Sequence, residues 1–225
     1  MRNAQLADLM RPKSFDDIVG QAHLFGPRGV LRRMVDSGRI TNMIFYGPPG
    51  VGKTTAAEII AAKSGMMFRR LNATSASLSD VKQVLAETDN VFGAGGVLLY
   101  LDEIQYFNRK QQQSLLEYME DGRLTLISST TENPHFYIYN ALLSRSSLFA
   151  FHAVSPEDCV PALRRALDYL NREHGTEKTA DDALLLSIGR GCGGDVRRAI
   201  GLLENTFYAA DKVLSPDDMD SFASG

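Results

Sequence analysis

Residues 42–64 read NMIFYGPPGVGKTTAAEIIAAKS, and three kinds of structure meet in them. NMIFY (42–46) is apolar enough for a buried strand, and the alanine-rich run from Lys53 to Ser64, closed by Gly65, reads as a helix. Between them GPPGVGKT (47–54) matches G-x-x-x-x-G-K-T in the strand-to-helix context which that pattern requires. Its glycines let backbone N–H groups wrap phosphates, the helix N-terminus adds partial positive charge, and Lys53 reaches the terminal phosphates. The Thr54 hydroxyl is suited to Mg²⁺. The candidate nucleotide-binding residues are thus Gly47, Pro48, Pro49, Gly50, Val51, Gly52, Lys53, Thr54 and Thr55, with ATP and Mg²⁺ as the expected cofactors.

Strand and helix signals alternate on from there. MFRRLN (67–72), GVLLYLDE (96–103), RLTLISST (123–130) and SLFAFH (147–152) complete a set of five candidate strands. Asp80 to Thr88 puts Val81, Val84, Leu85 and Thr88 on one helical face, and Gln111 to Glu120 is a helix ending at Gly122. The alternation implies an α/β fold of P-loop NTPase type, a doubly wound parallel sheet whose ligands lie beyond the carboxyl ends of the strands. After His152 no strand signal returns. Ser155-Pro156-Glu157-Asp158 starts a helix with Val160, Leu163, Leu167 and Leu170 at helical spacing. Ala180 to Gly189 and Asp195 to Ala210 read as two more, the last with Val196, Ile200, Leu203 and Phe207 on one face. The expected domains are an α/β core, 1–154, and a small all-α lid, 155–225. LSPDDMDSFASG opens another helix and stops, which suggests a longer protein.

VLLYLDEI (97–104) ends a buried strand in two carboxylates, and burying charge without a partner is costly. Asp102, at the end of a strand expected to neighbour the first, can hold the Mg²⁺ that Thr54 also touches. Glu103 is then left to position and polarise a water in line with the leaving oxygen, so the pair argues for hydrolysis. A strand, MFRRLN, lies between phosphate loop and acid pair, which favours an ATPase over a P-loop kinase.

Composition narrows the classes. With 44% hydrophobic and 23% charged residues the chain is globular and not disordered. A net charge of −3 neither predicts nor excludes nucleic acid, so any DNA contact needs a local patch; Arg28, Arg32, Arg33, Arg39, Arg69 and Arg70 are the candidates. Cys159 and Cys192 form no C-x-x-C pair, so no disulfide framework or zinc site is expected and reduced thiols fit a cytoplasmic setting. The four histidines show no ligand spacing. No stretch approaches the ~20 apolar residues of a membrane span.

RPKSFDDIVGQAHLFG, GPPGVGKTTAAEIIA, LYLDEIQYFNRKQQ, SSTTENP, ALLSRS and GGDVRRAIGLLE together resemble AAA+ ATPases of the clamp-loader clade. More narrowly they resemble the replication-associated recombination protein A family, whose eukaryotic members are the Werner-helicase-interacting ATPases. The resemblance runs from about Arg11 to Asp211, and SSTTENP with FN-x-x-QQ is its most specific part. It implies that Ile18 and Val19 line the adenine pocket, that Thr131 is sensor 1, and that Arg145 is an arginine finger acting on a neighbouring subunit. Arg197 is implied as sensor 2, on the lid, and the catalytic set becomes Lys53, Glu103, Thr131 and Arg145.

The resemblance also implies a DNA-dependent ATPase of replication-fork maintenance and recombination or repair, cytoplasmic and nucleoid-associated. Its implied partners are DNA junctions, gaps or ends, replication proteins such as single-strand binding protein, and further copies of the chain in a homo-oligomer, with no membrane. The alternatives are a clamp-loader or branch-migration subunit, or a nucleotide-gated scaffold, against which retention of Glu103, Thr131 and Arg145 speaks. Two departures stand out. Gln105-Tyr106 replaces the usual His-Arg, and the C-terminal oligomerisation region of the relatives is expected to be absent.

Overall fold

How much of each strand is buried follows from its place in the sheet. In the computed structural model, which describes residues 5–88, 96–120, 122 and 124–221, five strands form one sheet: β1 (Met43–Tyr46), β2 (Met67–Asn72), β3 (Val97–Asp102), β4 (Leu124–Thr130) and β5 (Ser147–Ala150). The order is β2-β3-β4-β1-β5, and every pairing is parallel. β3 and β4 lie inside and are buried along nearly their whole length, whereas β2, at an edge, is only partly covered. Both faces of β3 are covered, which is why its sequence is a continuous apolar run rather than an alternating one. Val97, Leu99 and Leu101 join a cluster with Val81, Leu85 and Leu115, while the ring of Tyr100 stacks on Phe68, 6.3 Å between centroids.

The order corrects one expectation. β3 does not neighbour β1, because β4 lies between them, so the acid pair and the phosphate loop end strands two places apart. Arg123, expected at the start of β4, and the side chain of Thr88 lie outside the described residues.

The chain divides into two compact units. One contains Ala22–Gly47 and Gly52–Phe151, and so the whole sheet. Its helix Lys53–Lys63 buries Thr55, Ala56, Ala57, Ile59, Ile60 and Ala61, too many directions for a single apolar stripe, and its alanines allow the close packing that demands. The other unit contains residues up to Gln21, Pro48–Val51 and His152–Gly225. It is helical: Pro156–His174, Asp182–Gly191, Val196–Ala209 and a short Pro216–Asp220. Each of the four starts at a side-chain cap, Ser155, Asp181, Asp195 or Ser215, which satisfies an otherwise orphaned N–H. Leu163, Ala166, Leu185, Ile188, Ala199 and Leu203 are fully enclosed and form its core. The short helix Leu6–Leu9 belongs here too, tied by an Arg197–Asp8 ion pair of 3.2 Å.

Candidate functional site

In the sheet unit the phosphate loop opens at Gly47, at the end of β1. Its φ is +144°, and a Cβ there would lie 2.1 Å from the carbonyl oxygen of Phe151. No other residue fits so close an approach of backbone to backbone. Lys53, in the first turn of its helix, is buried at 7% exposure, and its Nζ donates to the Gly47 carbonyl at 2.7 Å. The ammonium is thus folded back across the mouth of the loop. Thr54 donates from Oγ1 to the Tyr100 hydroxyl at 3.3 Å. Burial, with the charge of Asp102 adding to it, pushes the Tyr100 phenol well above its ordinary range, so it stays a neutral partner. Thr55 is buried beside them.

The carboxyl ends of β3 and β4 supply the acids and their holders. Asp102 accepts from Ser129 Oγ at 2.5 Å on Oδ1 and from Arg70 Nη2 at 2.9 Å on Oδ2. The question posed by two charges at the mouth of a buried strand is answered here in part by Arg70. Glu103 follows with φ 56° and ψ 49°, the left-handed region, and among the described residues it is the one non-glycine with positive φ. Its Oε2 accepts from the Gln105 side-chain amide through a short hydrogen bond and from Thr131 Oγ1 at 3.4 Å. Thr131 is exposed just past β4, and the structure brings it to the Glu103 carboxylate. Thr54 and Asp102 carry hard oxygen donors of the kind Mg²⁺ prefers.

Arg145 lies at the C-terminal cap of the short helix Asn140–Ser144. Its Nε donates to Glu120 Oε1 at 2.8 Å and Nη1 to the Ala141 carbonyl at 3.3 Å, with about half the side chain exposed. Of the arginines considered for DNA, Arg69 pairs with Glu87, Arg70 with Asp102 and Arg32 with Asp36, while Arg28, Arg33 and Arg39 are exposed.

In the helical unit Gly50 has φ +69°, and a Cβ there would come within 1.8 Å of Asp195 Oδ1. Gly50 also accepts from the Val196 N–H at 3.0 Å. Pro48 and Pro49 are exposed and Val51 is buried. Ile18 and Val19, partly exposed, follow the 3₁₀ turn Phe15–Asp17. Arg197, second in its helix, bonds Gln5 at 3.2 Å and Asp8.

Sequence reasoning missed four residues that organise these parts. Gln21 is 1% exposed; its amide donates to the Val51 and His152 carbonyls and accepts from His152 N–H. Asp195, Ser129 and Gln105 were missed as well. A buried glutamine or serine such as Gln21 or Ser129 carries no periodic signal, and the roles of Asp195 and Gln105 show only in their contacts.

Residues 43–157, just over half of the chain, match the family described as ATPase family associated with various cellular activities (AAA), and the chain belongs to that family. It is a nucleotide-binding P-loop ATPase domain. Among curated proteins it is similar to Replication-associated recombination protein A of Bacillus subtilis, 40% identical over 200 residues that cover 88% of this chain and 47% of the relative. The protein of the same name from Escherichia coli is 35% identical over 226 residues, covering 97% and 51%. The chain spans about half the length of these curated relatives. Among solved structures, a RuvB mutant of Thermotoga maritima superposes with a TM-score of 0.78 at 21% identity, covering 95% of this chain and 72% of that one, a likeness of fold alone. Among the described residues no helix is long and apolar enough to cross a membrane.

Proposed function

We propose that the chain is the motor part of a DNA-dependent ATPase that converts ATP to ADP and phosphate in replication-fork maintenance and recombination or repair. The observation that carries the hydrolytic reading is the grouping of Asp102, Glu103 and Thr131 at adjacent strand ends, with Thr131 bonded to Glu103 at 3.4 Å. The names of the relatives support the setting.

In this reading Gly47, Pro48, Pro49, Gly50, Val51, Gly52 and Thr55 shape the phosphate loop, and Ile18 and Val19 contact the adenine. Lys53 leaves the Gly47 carbonyl for phosphate oxygen, an exchange of one charge-assisted bond for a stronger one. Thr54 and Asp102 would hold Mg²⁺, which supplies charge neutralisation at the phosphates when bound. Glu103 orients and deprotonates the water, and Thr131 keeps the carboxylate and water aligned. Arg145 exchanges Glu120 for the phosphate of a neighbouring copy, and Arg197 exchanges Asp8 for nucleotide on the lid, whose boundary we set near 154/155. The proposed partners are DNA gaps, junctions or ends, single-strand binding protein and further copies of the chain, in the cytoplasm at the nucleoid.

Steady-state ATP turnover with and without duplex DNA carrying a single-stranded gap tests the reading. Stimulation by the gapped duplex is expected; identical turnover with and without DNA would remove the DNA-dependent part.

A further inference from the structure

Glu103 is held in an unusual way. Its backbone adopts the left-handed conformation, in which the Cβ of an L-residue crowds the following carbonyl, and such positions persist only where the surroundings over-determine them. Part of that determination comes from the Tyr106 N–H, which donates to the Glu103 carbonyl at 3.1 Å and closes a 3₁₀ turn. The rest comes from side chains: Gln105 Nε2 and Thr131 Oγ1 both donate to Oε2. Among the described residues, Oε1 accepts no hydrogen bond.

Gln105 is bound into this arrangement at a cost to itself. Its amide oxygen is buried without a hydrogen-bond partner among the described residues, and a buried acceptor left unpaired is unfavourable. Turning the amide over would bring that oxygen against a carboxylate oxygen, which is worse. The carboxylate therefore fixes which way the amide faces, and the unpaired oxygen is the consequence. Such groups in a folded protein call for an explanation. A glutamine that merely capped the turn would need neither the carboxylate contact nor the orphaned oxygen.

We propose that Gln105 is a positioning residue for ATP hydrolysis: its side-chain amide grips Oε2 of Glu103 and so makes Oε1 the oxygen that faces the attacking water. This rests on the reading of Glu103 as the water-activating acid. Gln105 acts through Glu103, fixing one of its oxygens so that the other cannot rotate out of line.

Turnover and equilibrium binding of a fluorescent ATP analogue, measured together for the wild type, Glu103→Gln, Gln105→Leu and Gln105→His, test this. Gln105→Leu should lower kcat by about 10–100-fold, the range for residues that orient a reacting group, with the Kd for the analogue within about twofold. Gln105→His, which restores an N–H donor, should recover part of the loss. An inactive Glu103→Gln beside a fully active Gln105→Leu overturns the inference and leaves the reading of Glu103 intact. A fully active Glu103→Gln overturns that reading, and the inference with it. A second measurement needs neither turnover nor a stable Gln105 variant: the side-chain amide protons of Gln105, followed by NMR, should move upfield in Glu103→Ala. Unchanged resonances would overturn the grip itself.

Discussion

Replacing Gly50 by alanine should separate two costs that the phosphate loop concentrates at one atom. The backbone there sits at φ +69°, a conformation that charges an L-residue about 1–2 kcal/mol. The new Cβ would also lie 1.8 Å from Asp195 Oδ1. That oxygen is the end of a short side chain and can swing away, but it accepts from the Arg198 N–H at 3.0 Å as the cap of helix Val196–Ala209. Moving it gives up a cap worth about 1 kcal/mol. Gly50→Ala should therefore cost about 2–3 kcal/mol in all. Asp195→Ala alone should cost about 1 kcal/mol, and in that background, where cap and clash are both gone, Gly50→Ala should cost only about 1–2 kcal/mol. Urea denaturation of the four proteins gives the coupling, about 1 kcal/mol. An equal cost of Gly50→Ala in both backgrounds would refute the clash with the cap, and a negligible cost in both would refute the backbone strain as well.

Other expected outcomes follow from single contacts. Ser129→Ala removes the donor to Asp102 Oδ1, and should raise the Mg²⁺ concentration needed for nucleotide binding by about 10-fold; an unchanged requirement would argue against Asp102 as a Mg²⁺ ligand. Arg145→Ala should retain ATP binding and lose turnover, and mixing it with Lys53→Ala protein should restore some activity if the finger works between copies. Burial pushes the Cys159 thiol from 9.0 up to about 11 and raises that of Cys192 too. Between pH 9 and 11 the unfolded chain has released a proton that the folded chain keeps, so stability should hold up to about pH 9 and fall from there towards 11. Urea titrations across that range should show the slope, reduced in Cys159→Ala.

Much of the fold was legible because local chemistry and global packing ask for the same residues. The phosphate loop needs glycine where a Cβ would strike Phe151 or Asp195, and the sequence has glycine at both places. The long apolar run of β3 announced burial on both faces, and the caps Ser155 and Ser215 announced their helices. Strand order was not legible: that β4 separates β3 from β1 depends on pairings far apart in sequence, to which no local residue pattern points. On helix Pro156–His174 the buried stripe takes in Cys159 rather than Val160, a one-residue rotation that periodicity alone does not fix. Short helices such as Pro134–Tyr137 and Asn140–Ser144 span too few residues to show a period.

The candidate site divided in the same manner. Lys53, Thr54, Asp102 and Glu103 were legible from spacing, since a phosphate loop and an acid pair at a strand end have chemical signatures. Ser129, Arg70, Gln21 and Gln105 were not, because a residue that holds another in place is recognisable only once the contact exists.

The most decisive experiment compares ATP hydrolysis and ATP binding in the wild type and Glu103→Gln. The neutral amide keeps the size of Glu103 and removes its ability to take a proton. We expect hydrolysis to fall by at least about 100-fold while binding is retained. Hydrolysis at the wild-type rate in Glu103→Gln would contradict the assignment of the acid pair and, with it, the hydrolytic mechanism built on the ends of β3 and β4.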